Sequence, residues 1–330
     1  VPWESPLRWS TLLECALLAE RVGFDSLWLS DHLVFDLSRY GGSSEPSGAF
    51  EPLVTLAALS RLVSRPRLGT LVLCEVLRSP ALLAKSLATL DHLCGGRLDI
   101  GLGAGWYEPD YQLMGMTLPA PGVRLARLEE TLVVLERLFS EEAAEYEGRF
   151  HRVRKGGARP LPLQRPHPPL ILGGKGDRLL RLVAARADGW NTCWAWTPEA
   201  YRERGAHLDA ACELLGRDPA GVRRSLGLYA LTGENATDLT ARFERMRELA
   251  PAGTVTGSLD DWRGAGRLVG SFESVAEQAA GFAALGVDEL IVCAGPVPFS
   301  LVSLDDVEAL ASALEPIRGE QRTDTVVEEG

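Results

Sequence analysis

In Phe24-Asp25-Ser26-Leu27-Trp28-Leu29-Ser30-Asp31-His32 an apolar run breaks abruptly into a polar triplet. The run 25–29 reads as a buried β-strand, and the triplet stands at its C-terminal end. In a parallel barrel that end is the functional face, so Asp31 and His32 become candidate site residues. His32 can move a proton near neutral pH, and Asp31 can stay charged or accept hydrogen bonds. On the triplet alone, a capping Asp31 and a partly buried His32 explain it equally well.

Working outward, strands and helices alternate along the chain. Helical spacing covers 9–22, 50–63, 80–93, 124–139, 177–186, 198–215, 239–249, 272–285 and 304–314. Gly23, Gly95-Gly96, Gly216 and Gly286 follow four of these as stop signals. Strand patterns cover 25–29, 67–74, 97–103, 170–172, 188–191, 225–231 and 289–293, and Tyr146-Glu147-Gly148-Arg149-Phe150 reads as a tight β-turn. Seven strands alternating with helices predict a parallel sheet. With an abbreviated first strand near Val1–Trp3, they make an α/β fold of the (β/α)8 type, one barrel domain over 1–318 with a disordered tail at 319–330. The rival is a doubly wound sheet. Its nearest fingerprint, Gly101-Leu102-Gly103-Ala104-Gly105-Trp106, ends in Trp and no acidic residue closes a following strand, so it is discounted.

The chain has 330 residues, 46% of them hydrophobic and 24% charged, as in ordinary globular proteins. A net charge of -11 argues against a nucleic-acid partner. No apolar run approaches a membrane span and no signal peptide is visible. Six scattered cysteines without a Cys-x-x-Cys pair favour the reducing cytoplasm. Five histidines without ligand spacing argue against a metal site, and no Gly-x-Ser-x-Gly elbow is present.

If the strands form a barrel, their ends converge. Glycines gather at Gly103-Ala104-Gly105 and Gly173-Gly174-Lys175, and tryptophans at Trp106, Trp190, Trp194 and Trp196. Singly, turn geometry and core packing explain each. Together on one face they favour a mouth that admits a flat apolar ligand. The run 149–155 is basic. It reads as a solvated excursion, with an anionic cofactor tail as the lesser alternative.

These motifs resemble the bacterial luciferase-like oxidoreductases, and within them the branch that uses the deazaflavin coenzyme F420. The resemblance rests on 19–32, on Gly96-Arg97-Leu98-Asp99-Ile100-Gly101 and its continuation to Tyr111, on 164–174, on Ala187-Asp188-Gly189-Trp190-Asn191 and on 286–292. It implies a (β/α)8 barrel with the coenzyme's ring at the C-terminal mouth, beside Asp31 and His32. It also implies a non-proline cis peptide at Leu71-Val72 behind the ring. Gly103, Ala104 and Gly105 would pass close to the coenzyme, and Gly173, Gly174 and Lys175 would face its side chain or phosphate. The implied activity is hydride transfer to or from a small molecule, with His32 as proton donor or acceptor, and the implied assembly is a homodimer. FMN monooxygenases share the fold, so FMN is the alternative coenzyme, and a non-catalytic flavin-binding barrel is a further one. The sequence departs from the sugar-phosphate dehydrogenases of the branch. Trp106 stands where they have a catalytic Glu, and Cys193, Trp194 and Trp196 stand where they hold a phosphate. With Phe35, these residues predict a pocket for an uncharged or weakly polar, hydrophobic or aromatic, non-phosphorylated substrate.

Overall fold

The computed structural model describes residues 8–46, 48–140, 144–157, 159–264 and 266–318. The expected first strand near Val1–Trp3 and the tail 319–330 lie outside the described residues. The parallel strands are β1 (Ser26–Leu29), β2 (Arg67–Thr70), β3 (Leu73–Cys74), β4 (Leu98–Gly103), β7 (Leu170–Gly173), β8 (Gly189–Trp194), β9 (Arg223–Gly233), β10 (Leu268–Ser271) and β11 (Glu289–Cys293). A separate antiparallel hairpin, β5 (Ala144–Glu147) and β6 (Arg152–Gly156), carries the expected turn. Pairing runs β1-β2-β4-β7-β8-β9, and β9 then serves two neighbours. Its first half pairs with β11 and its last four residues with β10. The result is a nearly closed, mostly parallel barrel.

The helices outside it are α1 (Trp9–Arg21), α2 (Pro52–Leu59), α3 (Pro80–Leu93), α5 (Pro121–Ser140), α6 (Asp177–Arg186), α7 (Pro198–Leu214), α8 (Ala236–Leu249), α10 (Phe272–Ala283) and α11 (Leu304–Leu314). Two short ones, α4 (Glu108–Leu113) and α9 (Leu259–Arg263), sit in loops after strand ends. Several helices start on a capping side chain followed by proline. Glu51 accepts from the Val54 amide at 2.7 Å ahead of Pro52, and Ser79 and Thr197 cap α3 and α7 in the same way. Val54 and Leu82 stand exposed on α2 and α3.

At the start of the strands an ionic network takes the place of an apolar plug. Asp99 of β4 is fully buried and accepts from Arg67 Nε and Nη2, both at 2.8 Å, and from Arg223 Nη1 at 3.2 Å. Arg223 continues to Glu289 of β11 at 2.8 Å. Glu289 in turn accepts from Ser26 Oγ and Trp28 Nε1 of β1, so it spans the seam between β11 and β1, which share no ladder among the described residues. Burial pushes the Glu289 carboxyl up, against the Arg223 charge. Gln164 bonds Asp91, the Leu98 carbonyl and Arg67. The proline-rich excursion therefore closes the bottom of the barrel, at the end opposite the mouth.

The barrel's floor is set by Val72. The strand expected over 67–74 is interrupted, and the Leu71–Val72 peptide is cis. The Val72 side chain lies over Gly103 and Gly173, where an added Cβ would stand 2.6 and 2.7 Å from its methyl groups. Those two glycines therefore make room for Val72 from the same chain.

Two expectations follow. Asp99→Ala takes the carboxylate from Arg67, leaves Arg223 with Glu289 alone, and should cost about 3 kcal/mol in urea unfolding. That is the low end for a broken buried pair, because Arg67 and Arg223 each keep about a third of their side-chain surface in water. Gly103→Ala should cost about 1–3 kcal/mol by overpacking, and Val72→Ala in the same molecule should recover most of it. Additive losses in that double mutant would show that the two residues do not compete for one space.

Candidate active site

The mouth begins where β1 ends. Asp31 is buried and gives both carboxylate oxygens to Arg78, at 2.7 and 2.9 Å, and one of them also to the Cys74 amide at 2.9 Å. Arg78 reaches on to Glu51, the cap of α2. Asp31 therefore fastens the ends of β1 and β3 and the start of α2.

His32 is held by a residue the sequence reading did not single out. Its Nδ1 lies 2.7 Å from Asp110 Oδ2, while Asp110 Oδ1 accepts the Leu33 and Val34 amides at 2.8 and 3.2 Å. A carboxylate that accepts at both oxygens fixes the imidazole proton on Nδ1, so proton exchange with a ligand falls to Nε2. Asp110 is buried in α4, directly after the β4 end. A second tie joins the same two loops: Tyr107 Oη donates to the Asp36 carboxylate and accepts the Asp36 amide at 3.0 Å. The Ser38 hydroxyl first, and the Tyr107 hydroxyl after it, pull the Asp36 carboxyl below the usual carboxylate range.

Aromatic rings surround the imidazole. Phe35, Tyr107 and Trp106 stand 4.9, 5.3 and 5.7 Å from it, centroid to centroid. Trp106 is partly exposed, with the Arg39 guanidinium 4.4 Å over its ring. Phe35, Leu71, Trp28, Ile291 and Phe299 form one apolar cluster, against which Val72 and Trp194 pack. Trp194 also meets Tyr229 at 5.5 Å and Phe299 at 5.2 Å. Gly105 turns the chain at φ +72 so that Tyr111 and Cys74 fit beneath it. Tyr111 Oη donates to the Ala104 carbonyl at 3.2 Å. Burial pushes the Cys74 thiol up to about 11. Behind it, buried Glu75 takes Arg127 Nε at 3.0 Å, and burial raises its carboxyl too.

Other expected residues lie elsewhere. Trp190 is fully buried in the helix layer, stacked on Tyr201 of α7 at 5.7 Å. Trp196 meets the same tyrosine edge-on at 6.2 Å, so it packs away from the substrate side, and Lys175 Nζ lies 6.0 Å from its ring. The Gly174 amide is donated to the Asn191 carbonyl at 3.0 Å, and its own carbonyl accepts from Trp190 Nε1. The Gly173-Gly174 turn thus spends at least one of its amides inside the sheet. The Cys193 side chain sits over Gly227 of β9, and burial pushes its thiol up to about 12, which leaves it a packing residue at neutral pH.

No group of His, Cys, Asp and Glu suited to a metal ion occurs among the described residues, and no helix among them is long and apolar enough to cross a membrane. The geometry is thus an oriented imidazole beside a packed cluster of apolar rings at the strand ends, able to exchange one proton with a ligand.

Comparison with known proteins agrees with that geometry. An uncharacterized protein of Mycobacterium tuberculosis is 33% identical over 256 residues, 74% of this chain and 86% of its own length. An F420-dependent glucose-6-phosphate dehydrogenase of Microbacterium testaceum is 32% identical over 194 residues, 58% of this chain and 55% of its own. Among solved structures, an F420-dependent secondary alcohol dehydrogenase in complex with an F420–acetone adduct superposes with a TM-score of 0.78 at 19% identity, covering 96% of this chain and 97% of its own. That likeness bears on the fold. The family model of luciferase-like monooxygenases matches residues 3–293, and the chain belongs to that family.

Proposed function

We propose that the protein is a coenzyme F420-dependent oxidoreductase acting on a small organic molecule. The observation that carries this reading is the His32–Asp110 pair, set 2.7 Å apart at the rim of a well floored by Val72 and walled by rings. The residues present fit the coenzyme: Val72 offers a flat apolar face at the strand ends, and Trp194 and Phe299 stand edge to face beside it. When bound, a deazaflavin supplies a hydride acceptor or donor at carbon 5. The chain supplies the rest. Asp110 holds the His32 tautomer, His32 Nε2 takes or gives the proton that accompanies hydride transfer, and the rings keep water from the reacting atoms. Asp31 acts at one remove, through Arg78 and the Cys74 amide, by fixing the end of β1. The relatives named for F420 support this coenzyme over FMN, and a dedicated proton-exchanging residue suits a hydride carrier more than it suits oxygen chemistry.

The test is an anaerobic titration of the purified protein with F420 and with FMN, followed by turnover on a panel of alcohols, ketones and activated alkenes. F420 should bind the more tightly. His32→Ala should lower kcat on any accepted compound by about 10²–10⁴-fold while F420 affinity stays within a few-fold. Tight binding of reduced FMN, with product formation that consumes oxygen and no F420 binding, would make the protein a flavin monooxygenase instead.

A further inference from the structure

Most half-buried arginines of this molecule have their charge or their donors answered. Arg78 and Arg127 face carboxylates, and Arg217 caps carbonyls at the end of α6 and beyond. Arg124, Arg267 and Arg318 are exceptions, each with one hydrogen bond and a buried nitrogen left without a partner among the described residues, and of these it is Arg267 that stands beside the wall of the mouth. Its guanidinium makes a single hydrogen bond, to the Trp262 carbonyl at 3.3 Å, and its Nε is buried without a partner. No carboxylate pairs with it among the described residues, and burial pulls its pKa down, opposed only by the Tyr229 phenol. Its buried Nε lacks a partner, and an anion brought by a ligand would answer it together with the more accessible Nη groups.

Its place in the fold says which ligand. Arg267 directly precedes β10. It lies 4.4 Å over Trp262, which is anchored in a small core with Leu231, Phe243 and Met246. On its other side is the Tyr229 ring at 5.7 Å, and Tyr229 packs on Trp194 in the wall of the mouth. The guanidinium is thus stacked in place at the edge of the aromatic well. A lone, pre-oriented guanidinium fork matches the two oxygens of a carboxylate, whereas a phosphate dianion calls for several cations.

We propose that Arg267 receives a carboxylate of the substrate, whose flat apolar body lies against Trp194 and Phe299. This rests on the mouth being the substrate site and is independent of which coenzyme binds there. It also revises the uncharged ligand expected from Trp106, Trp194 and Trp196. The substrate class becomes a planar, apolar or aromatic acid.

The probes are 2-naphthoate and its neutral amide, titrated calorimetrically into the wild-type protein near neutral pH, with inorganic phosphate as a third ligand. The acid should bind at least about tenfold more tightly than the amide, as a charge-assisted hydrogen bond to a desolvated guanidinium implies. Arg267→Gln should shrink that ratio to within about twofold, Arg267→Lys should retain part of it, and F420 affinity should stay unchanged in both. Equal binding of acid and amide by the wild type overturns the proposal even if no variant folds. So does phosphate binding as tightly as the acid, which makes the site a general anion trap. Loss of F420 affinity in Arg267→Gln with the acid preference intact also overturns it, assigning the guanidinium to the coenzyme's side chain. Wild-type F420 affinity is measured in parallel, so failure of the coenzyme reading shows separately from failure of the acid preference.

Discussion

A buried carboxylate at the end of β1 fixes the geometry of the whole mouth. Asp31 lies out of water, and an unpaired charge there would cost several kcal/mol. Two guanidinium bonds from Arg78 and the Cys74 amide offset that cost. They lock the end of β1 to the end of β3, and Glu51 extends the lock to α2. With Asp31 held on one side, the next residue, His32, meets Asp110 on α4. The neighbouring residues of the triplet thus divide the work: one carboxylate holds the backbone, and a different one orients the imidazole.

That division marks the limit of what the sequence could tell. The strand-to-polar break, the capped helices, the bottom-to-top alternation and the cis peptide at Leu71-Val72 were legible, because each is local or travels with a family motif. Asp110 was not, since it stands 78 positions from His32 in a six-residue helix with no periodic pattern of its own. The strand β10 is missing from the strand patterns, because its four residues, Leu268–Ser271, run straight into α10. Trp190 leaves the mouth for another reason. Trp190 and Trp194 have the same parity, yet Trp190 packs outward on Tyr201 and Trp194 inward on Phe299. Simple alternation fails there, and Trp196 goes outward with Trp190.

Charge placement carries a related lesson. A chain with a net charge of -11 suggests few cations to spare, and most of the buried ones are spent on structure, as at Asp99, Glu289 and Asp306. Around the mouth the pattern changes. Arg39 lies over Trp106 and Arg267 over Trp262, with no ion pair for either among the described residues. Rings rather than carboxylates hold them in position, which keeps their charge available at the rim. Arg267 could not be found from sequence because it sits in a stretch, 251–267, that composition reads as loop.

The central claim is that Asp110 holds His32 in one tautomer, with the proton on Nδ1 and Nε2 turned to exchange. The most direct measurement is the pair of imidazole ¹⁵N shifts of His32, assigned through His32→Gln and recorded above its titration. A protonated Nδ1 with a pyridine-type Nε2, lost to a tautomer mixture in Asp110→Asn, is the result this account predicts. A wild-type ring protonated at Nε2, or one whose tautomer is indifferent to Asp110, would contradict it.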